Sequence, residues 1–430
     1  MKRVFIKSFG CRASQADGAA IGAALEERGC ETVEAGAAAD LIVINTCTVT
    51  READTDARRA IRSLHRDHPH SQILVTGCYA QRAPDELASL EGVTRVVGNS
   101  HKAHIAEIVS ARSEDYHGQI VIGDISRQRE FSATAVKDAY QDRSRPNLKV
   151  QDGCGNRCAF CIIPQVRGRS RSASLGSILS QMQDLAERYA EVVLSGINLG
   201  RWGRDLPDQL RFCDLIRAIL RETSIRRLRI SSVEPMDWSE DLLALVAQEP
   251  RMAKHVHIPL QSGSDAVLKR MFRKYRTRHY ETRLHVAQRL MPEAAIGADV
   301  MTGFPGETDA EFSETVRFIE QHPFTYLHVF TYSERPGTAA ASFGDAVPIE
   351  VRRERTRVLR ALSDRKNLAF RRGMIGRTLS AVTLGNGAAL TTNFLQVELE
   401  RARAANELIE VEVGGVSGSG LRERTLLPVI

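Results

Sequence analysis

Three cysteines, Cys154, Cys158 and Cys161, fall within one short segment of the chain, Asp152-Gly153-Cys154-Gly155-Asn156-Arg157-Cys158-Ala159-Phe160-Cys161. A C-x3-C-x2-C array this tight can hold three corners of an iron–sulfur cube, whereas a [4Fe–4S] cluster normally takes four cysteines. A cube held by three keeps one iron open, as catalytic metal sites keep an open position. An open iron can chelate the amino and carboxylate groups of S-adenosylmethionine. One electron from the cluster then splits the sulfonium and gives a 5'-deoxyadenosyl radical. A zinc knuckle is the plainer alternative, but zinc needs a fourth ligand nearby, and the following Ile162-Ile163-Pro164 supplies none.

A second set is scattered. Cys11, Cys47 and Cys78 each follow a strand-like run, at 4–8, 41–45 and 73–76, with Gly10, Thr46 or Gly77 as the turn residue in front. If those strands are parallel neighbours, the three thiols emerge at one sheet edge, the edge where doubly wound folds bind ligands. They could hold a second cluster with one free iron. The alternative is three unrelated core cysteines, since free Cys is often buried. Cys30 and Cys213 lack this placement and are not expected to bind metal.

The elements that must position these thiols form three blocks. Residues 1–125 alternate strand-like and helical runs, with helices expected at 15–28, closed by Gly29, and at 56–66, closed by His68-Pro69. Such β-α-β alternation argues for a parallel sheet with helices on its faces, here a doubly wound domain. Residues 126–146 are polar, mixed in charge and end at Pro146, which reads as a linker. Residues 147–370 repeat the alternation, with strands expected at 148–151, 191–194, 227–231, 255–259, 296–302 and 327–332. Six strand–helix units suit a partial (β/α)6 barrel, whose active site belongs at the strand C-terminal ends. The cysteine loop follows the first of these strands and so lies at the mouth. Residues 373–430 lose helical signals, and short strands at 379–384, 395–399 and 408–413 suggest a small β-barrel. That form commonly binds nucleic acid, the alternative being a stabilising β appendage. The fold class is α/β throughout the first two blocks.

Composition fits this division. The chain has 430 residues, 43% of them hydrophobic, and eight cysteines. No stretch is long and apolar enough to span a bilayer. The basic start Met1-Lys2-Arg3 leads into a run too short for a signal peptide. A cytoplasmic enzyme is expected, in which cysteines serve metal or redox chemistry, not disulfides. The net charge of +6 is modest, but basic residues crowd the cysteine loop (Arg167, Arg169, Arg171) and the 269–278 segment. Such runs suggest a phosphate-rich partner, although most charge runs are solvated faces. At the barrel mouth, Phe160, Gly196, Ser232, Glu234, Gln261 and Asp299 are the candidate contacts to S-adenosylmethionine. Each has a structural alternative: packing for Phe160, a plain turn for Gly196, a salt-bridged carboxylate for Glu234. Glu307 reads as the start of a helix, whose first turn favours acids.

Taken together, the motifs Asn45-Thr46-Cys47-Thr48-Val49-Thr50, Gly77-Cys78-Tyr79-Ala80-Gln81, Cys158-Ala159-Phe160-Cys161-Ile162-Ile163-Pro164, His257-Ile258-Pro259-Leu260-Gln261-Ser262-Gly263-Ser264 and Gly303-Phe304-Pro305-Gly306-Glu307-Thr308 carry a resemblance. Over essentially its whole length the chain resembles the radical S-adenosylmethionine methylthiotransferases. The resemblance implies two [4Fe–4S] clusters, on Cys11, Cys47 and Cys78 and on Cys154, Cys158 and Cys161. It also implies S-adenosylmethionine as methyl donor and radical source, and a TRAM-like C-terminal domain. Thr48-Val49-Thr50 and Tyr79 resemble the branch that places a methylthio group on C2 of N6-threonylcarbamoyladenosine at position 37 of tRNA. That branch implies the tRNA anticodon stem-loop, a sulfur donor and a one-electron donor as partners, and no membrane. The competing readings are action on isopentenyladenosine-37 tRNA, action on a ribosomal-protein aspartate, and a non-enzymatic iron–sulfur RNA-binding regulator. Ser14, Asp17, Gly155 and Ala173 depart from the family pattern and are expected to bear on substrate contacts more than on cluster binding.

Overall fold

The computed structural model describes residues 1–110, 119–131, 144–418 and 420–425. Most of the expected 126–146 linker lies outside the described residues. The first unit is a six-stranded parallel sheet of β1 (Arg3–Ser8), β2 (Glu31–Thr32), β3 (Leu41–Thr46), β4 (Gln72–Gly77), β5 (Val93–Gly98) and β6 (Ile120–Val121), in the order β2-β1-β3-β4-β5-β6. Its centre, Leu41-Ile42-Val43-Ile44, is buried on both faces, as befits a parallel strand covered by helices on each side. The order is doubly wound and reverses between β1 and β3, where such sheets open a ligand crevice. α1 (Arg12–Glu26) starts directly after Cys11, earlier than its weak apolar periodicity suggests, with no side-chain cap. α2 (Arg51–Asp67) also starts earlier than expected. Thr50 Oγ1 accepts from the Ala53 N–H, and Glu52 and Asp54 sit in the first turn, as the helix dipole favours.

The second unit is the partial barrel. Its parallel strands are β7 (Asn147–Asp152), β9 (Glu191–Gly196), β10 (Arg227–Ile230), β11 (His255–His257), β12 (Ala295–Thr302) and β13 (Tyr326–Thr331). A two-residue strand not anticipated from sequence, β8 (Arg171–Ser172), pairs antiparallel with β7. The strands form the sheets β10-β9-β7-β8 and β11-β12-β13, bridged at Leu228–Met252 and Ser232–His257. Helices coat the outside and share one core with the strands, in which Trp202 and Trp238 are fully buried. No helix among the described residues is long and apolar enough to cross a membrane.

The third unit is a closed barrel of β14 (Thr378–Thr383), β15 (Ala388–Thr391), β16 (Gln396–Glu398), β17 (Leu408–Val416) and β18 (Leu421–Glu423). It stands against the lower end of the partial barrel. Arg229 donates to both Glu191 oxygens, at 2.7 and 3.0 Å, and to the carbonyls of Thr391 and Thr392 at 3.0 and 3.1 Å. Phe394 stacks on His255 with centroids 4.3 Å apart.

Glu191 is fully buried. Burial opposes its charge, but Arg229 and Arg145 prevail and lower its pKa to about 2. A depressed carboxylate stabilises the fold above its unfolded pKa, and that contribution is lost as pH falls from 4.5 toward 2. Glu191→Gln should cost about 3 kcal/mol at pH 7, because breaking a buried pair leaves its partner uncompensated. Urea midpoints of cluster-free protein should converge with the parent's across that acid window. A pH-independent gap would sink this account.

Candidate metal and cofactor site

Cys11, Cys47 and Cys78 follow β1, β3 and β4, so the sheet delivers them to one edge, two of them flanking the crevice. Gly10 has φ +97°, and a Cβ there would lie 2.9 Å from the Cys47 sulfur. Glycine is needed for both the left-handed backbone and the close approach, and it draws Cys11 and Cys47 together. The thiols feel one another: the Cys47 pKa is pushed up to about 12 by burial, then by Cys78 and Cys11.

The second triad sits in the loop after β7. Gly153 (φ +69°) lets that loop pass so close to Arg169 that a Cβ would lie 2.0 Å from its carbonyl oxygen. The Cys154 N–H donates to Gly168 O at 3.0 Å, and Ala159 N–H to Met271 O at 3.0 Å, which clamps the loop at both ends. Burial and then Cys158 raise the Cys161 pKa to about 12, and Cys154 rises to about 11, first through burial. At Cys47, Cys154 and Cys161 burial and a neighbouring thiol oppose the thiolate, and a metal centre of high positive charge bound there would draw the protons off. Three convergent thiols with no fourth cysteine at either place suit a cube with one open iron.

Donors to these sulfurs went unseen in the sequence. Asn198 Nδ2 reaches Cys154 Sγ at 3.4 Å and Arg273 Nη1 reaches Cys158 Sγ at 3.2 Å. Asn99 Nδ2 and Arg167 Nε reach Cys78 Sγ at 3.6 and 3.3 Å. Such hydrogen bonds stabilise a thiolate and tune a cluster's potential. Arg167 and Arg273 belong to basic runs expected to grip phosphate. That expectation is corrected for both, because each guanidinium is buried and turned inward. Arg171 is buried as well. Within these runs only Arg169, Lys269, Lys274 and Arg278 are exposed bases.

Arg167 is the hub of a network between the first two units. It donates to Asp152 Oδ1 and Asp17 Oδ2, both at 2.9 Å, and to Ser14 Oγ at 3.2 Å. Lys102 Nζ donates to Asp17 at 2.8 Å, and Lys149 contacts both carboxylates. Burial disfavours the Asp17 and Asp152 charges, yet the surrounding cations hold both pKa values well below the carboxylate range. With Arg171 3.9 Å from Asp152, four cations face two carboxylates, and Arg167 brings part of the surplus positive charge beside Cys78. Ser14 and Asp17, where the chain departs from the family pattern, are buried and take part in this network. Cys78 also packs against Ile162 and Val166, so the two triads are neighbours across the seam.

The remaining candidates are dispersed around the mouth and lumen. Phe160 packs with Ala159, Met271 and Phe304 under the cysteine loop. Gly196 lies against Gln151, whose Cβ would be 3.1 Å from an added Cβ. Glu234 is ion-paired with Arg273, and burial raises its pKa against that pairing. The carboxylate is thereby engaged in holding Arg273 over Cys158. Gln261 takes φ +65°, a strained conformation of the kind that collects at functional sites, and Ser232 bridges to His257. Asp299 does not face the mouth freely. It sits between His328 Nδ1 at 3.2 Å and His257 Nε2 at 3.5 Å. Glu307 accepts from the Gly303 N–H at 2.7 Å and pairs with Arg355, just before the helix Asp309–Gln321.

Comparison with known proteins bears on this arrangement. Residues 3–98 match "Uncharacterized protein family UPF0004" and residues 148–319 the "Radical SAM superfamily". The "Threonylcarbamoyladenosine tRNA methylthiotransferase MtaB" of Aquifex aeolicus is 35% identical over 95% of this chain and 99% of its own. The protein of that name from Bacillus subtilis is 39% identical over 85% and 81%. The "tRNA-2-methylthio-N(6)-dimethylallyladenosine synthase" of Syntrophobacter fumaroxidans is 36% identical over 85% and 82%. Among solved structures, the radical S-adenosylmethionine methyltransferase TsrM of Kitasatospora setae shares the fold at TM-score 0.56 and 16% identity, over 76% of this chain and 73% of that one.

Arg167→Met would remove the hub of the seam, leaving Asp17 to Lys102 and Lys149 and Asp152 to Lys149 and Arg171. A loss of about 2–3 kcal/mol follows from the lost charged hydrogen bonds. Limited proteolysis should then separate the N-terminal unit from the barrel, where the parent resists. An Arg167→Met protein as resistant as the parent would mean that this network does not hold the two units together.

Proposed function

The chain belongs to the radical S-adenosylmethionine methylthiotransferase family, and we propose that it places a methylthio group on C2 of N6-threonylcarbamoyladenosine at position 37 of tRNA. One observation carries this reading: two thiol triads, each at the carboxyl edge of a parallel sheet, abut across a seam closed by buried charge. A C2–H bond is neither acidic nor electrophilic, so acid–base groups do not suffice and bound cofactors must carry the hard chemistry. When bound, a cluster with S-adenosylmethionine at the barrel mouth supplies the radical that removes this hydrogen, and a second cluster supplies a site for the sulfur.

The residues of the chain hold and aim these parts. Cys154, Cys158 and Cys161 would hold the barrel cluster, and Cys11, Cys47 and Cys78 the other. Asn198 and Arg273 steady the first triad, Asn99 and Arg167 the second. Ser232, Gln261 and Gly196 line the mouth for S-adenosylmethionine, with Phe160 packed beneath. The fixed seam would keep the two thiol triads, and the clusters they would hold, close to one base, which is the proximity this chemistry needs. Exposed Arg169, Lys269, Lys274 and Arg278, with the C-terminal barrel, grip the anticodon stem-loop, whose base must leave its stack to react. The sulfur and the electron come from separate donors, and the reaction is placed in the cytoplasm.

Reconstituted without oxygen, the protein should carry about eight irons per chain, about four for each cube. Cys158→Ala should drop this to about four and end 5'-deoxyadenosine formation. Cys47→Ala should lose the same amount of iron and all methylthio product, yet keep uncoupled 5'-deoxyadenosine. Digestion of treated tRNA to nucleosides should show product on threonylcarbamoyladenosine and none on isopentenyladenosine. Product on the latter, or a modified ribosomal protein with no tRNA product, would move the chain to another branch.

The C-terminal barrel cannot be deleted cleanly, because Arg229 and His255 would lose their partners, so the RNA grip is tested by point changes. Lys274→Ala and Arg278→Ala should each weaken tRNA binding and lower the slope of log affinity against log salt by about 1. An unchanged slope would remove the residue from the grip.

A further inference from the structure

Two side chains of β13 are turned into the partial barrel and left half-exposed. Leu327 and Val329 of that strand are buried in the core shared with the outer helices, so the alternate residues Tyr326, His328 and Phe330 face the lumen. The Phe330 ring is 47% exposed and stands edge-on to His328, with centroids 6.5 Å apart. In register beside it on β12 is Met301, which packs with Ala159 and Phe160 of the cysteine loop. Just beyond the strand, Ser333 Oγ accepts from the Arg51 N–H at 3.0 Å, and Arg335 donates to the Thr48 carbonyl at 3.1 Å. Thr48 directly follows Cys47. Phe330 thus lies between the two thiol triads, joined to one through Met301 and to the other through the end of its own strand.

One step lower on the same wall the lining becomes polar. His328 is in register with Asp299, and its Nδ1 lies 3.2 Å from Asp299 Oδ1. His257 of β11 lies 3.5 Å from the same oxygen. The carboxylate fixes the His328 ring, and among the described residues its Nε2 meets no hydrogen-bond partner. With Nδ1–H donated to Asp299, Nε2 of the neutral ring is an acceptor.

A base presented to both triads must pass the face of Phe330, and every nucleobase has a π-face that stacks on an aromatic ring. In adenine, C2 and N6 lie at opposite ends of the six-membered ring. With C2 held toward the cysteine loops, a substituent on N6 points down the lumen toward His328, about 7 Å below Phe330 along the strand. An accepting nitrogen there suits a substituent that offers a hydroxyl or an N–H. An apolar one would cover Nε2 and leave it unpaired, and a site built for a polar partner rejects an analogue that lacks it.

We propose that Phe330 is the stacking platform for the target adenine, and that His328, held by Asp299, hydrogen-bonds the polar arm on N6 and so selects it. This rests on the function proposed above and deepens it, because it separates the residue that reads the base from the residue that reads its substituent.

The test is equilibrium binding of two anticodon stem-loops to the reconstituted holoenzyme, one with threonylcarbamoyladenosine at position 37 and one with plain adenosine. The parent should prefer the first. Phe330→Ala should weaken both by about 5- to 150-fold, the span of one stacked base, with their ratio kept, and Phe330→Tyr should restore both. His328→Leu should cut the parent's preference by about 3- to 10-fold, the span of one neutral hydrogen bond, and His328→Gln should recover part of it. Because the preference compares two RNAs on one protein, a general loss of affinity cancels, and retention of about eight irons per chain shows that a variant is folded. Where the parent forms product on the threonylcarbamoylated loop, a Phe330→Ala protein with the parent's affinity, or a His328→Leu protein with the parent's preference, overturns the subsite alone. Zinc retained by the parent through dialysis and lost in His328→Leu would mark His257, Asp299 and His328 as a metal site and overturn the selecting role. Product on isopentenylated RNA only would overturn the proposed function, and the role of His328 with it.

Discussion

A guanidinium excluded from water decides how this molecule is assembled. Removing Arg167 from solvent costs several kcal/mol. The arrangement is viable because two carboxylates, a hydroxyl and a thiol meet its donors at once. The partners come from both α/β units, so the donors are satisfied only in one relative placement. Hydrophobic contact such as Cys78 against Ile162 and Val166 could slide; forked hydrogen bonds cannot. The seam is therefore specified by directional interactions, and both triads inherit its geometry. A second tie does the same at the rim, where Arg335 from the barrel reaches Asp54 at 2.6 Å and the Thr48 carbonyl at 3.1 Å.

Much of the framework was legible in the sequence because the signals were local. Continuous apolar runs such as Leu41-Ile42-Val43-Ile44 mark doubly covered parallel strands, and all six barrel strands appear where the alternation places them. The convergence of Cys11, Cys47 and Cys78 could be inferred without contacts, since residues that follow neighbouring parallel strands share an edge. The short elements were not legible. β8 and β18 have two and three residues, too few to show a period, and their pairing depends on distant partners. The start of α1 was missed because Arg12-Ala13-Ser14 carries no capping signal and the buried stripe begins weakly.

The meaning of charge was least legible. Arg167, Arg169 and Arg171 look alike in sequence, yet one is a buried hub, one is exposed, and one donates to the carbonyls of Arg167 and Arg169. Nothing in a run of arginines reveals which will meet a carboxylate from another domain, because the partner, Asp17, lies about 150 residues away. The same limit hid Arg273, whose neighbours Lys274 and Arg278 are exposed. Proximity to a cysteine motif was a fair signal that these residues matter, but it did not say whether they face substrate or sulfur.

Phe394 offers a different lesson. It sits in a left-handed turn (φ +63°), where Thr391 Oγ1 accepts from the Leu395 N–H at 2.9 Å, and its ring lies flat on His255. The lower end of the partial barrel is thus closed by a side chain of the C-terminal barrel. The depth of the space is set by Phe394, which lies well over a hundred residues beyond the barrel strand it closes. Two chains with the same barrel lining but a smaller side chain at this turn would enclose different volumes. The C-terminal barrel is in that sense a stopper whose length gauges the space above it.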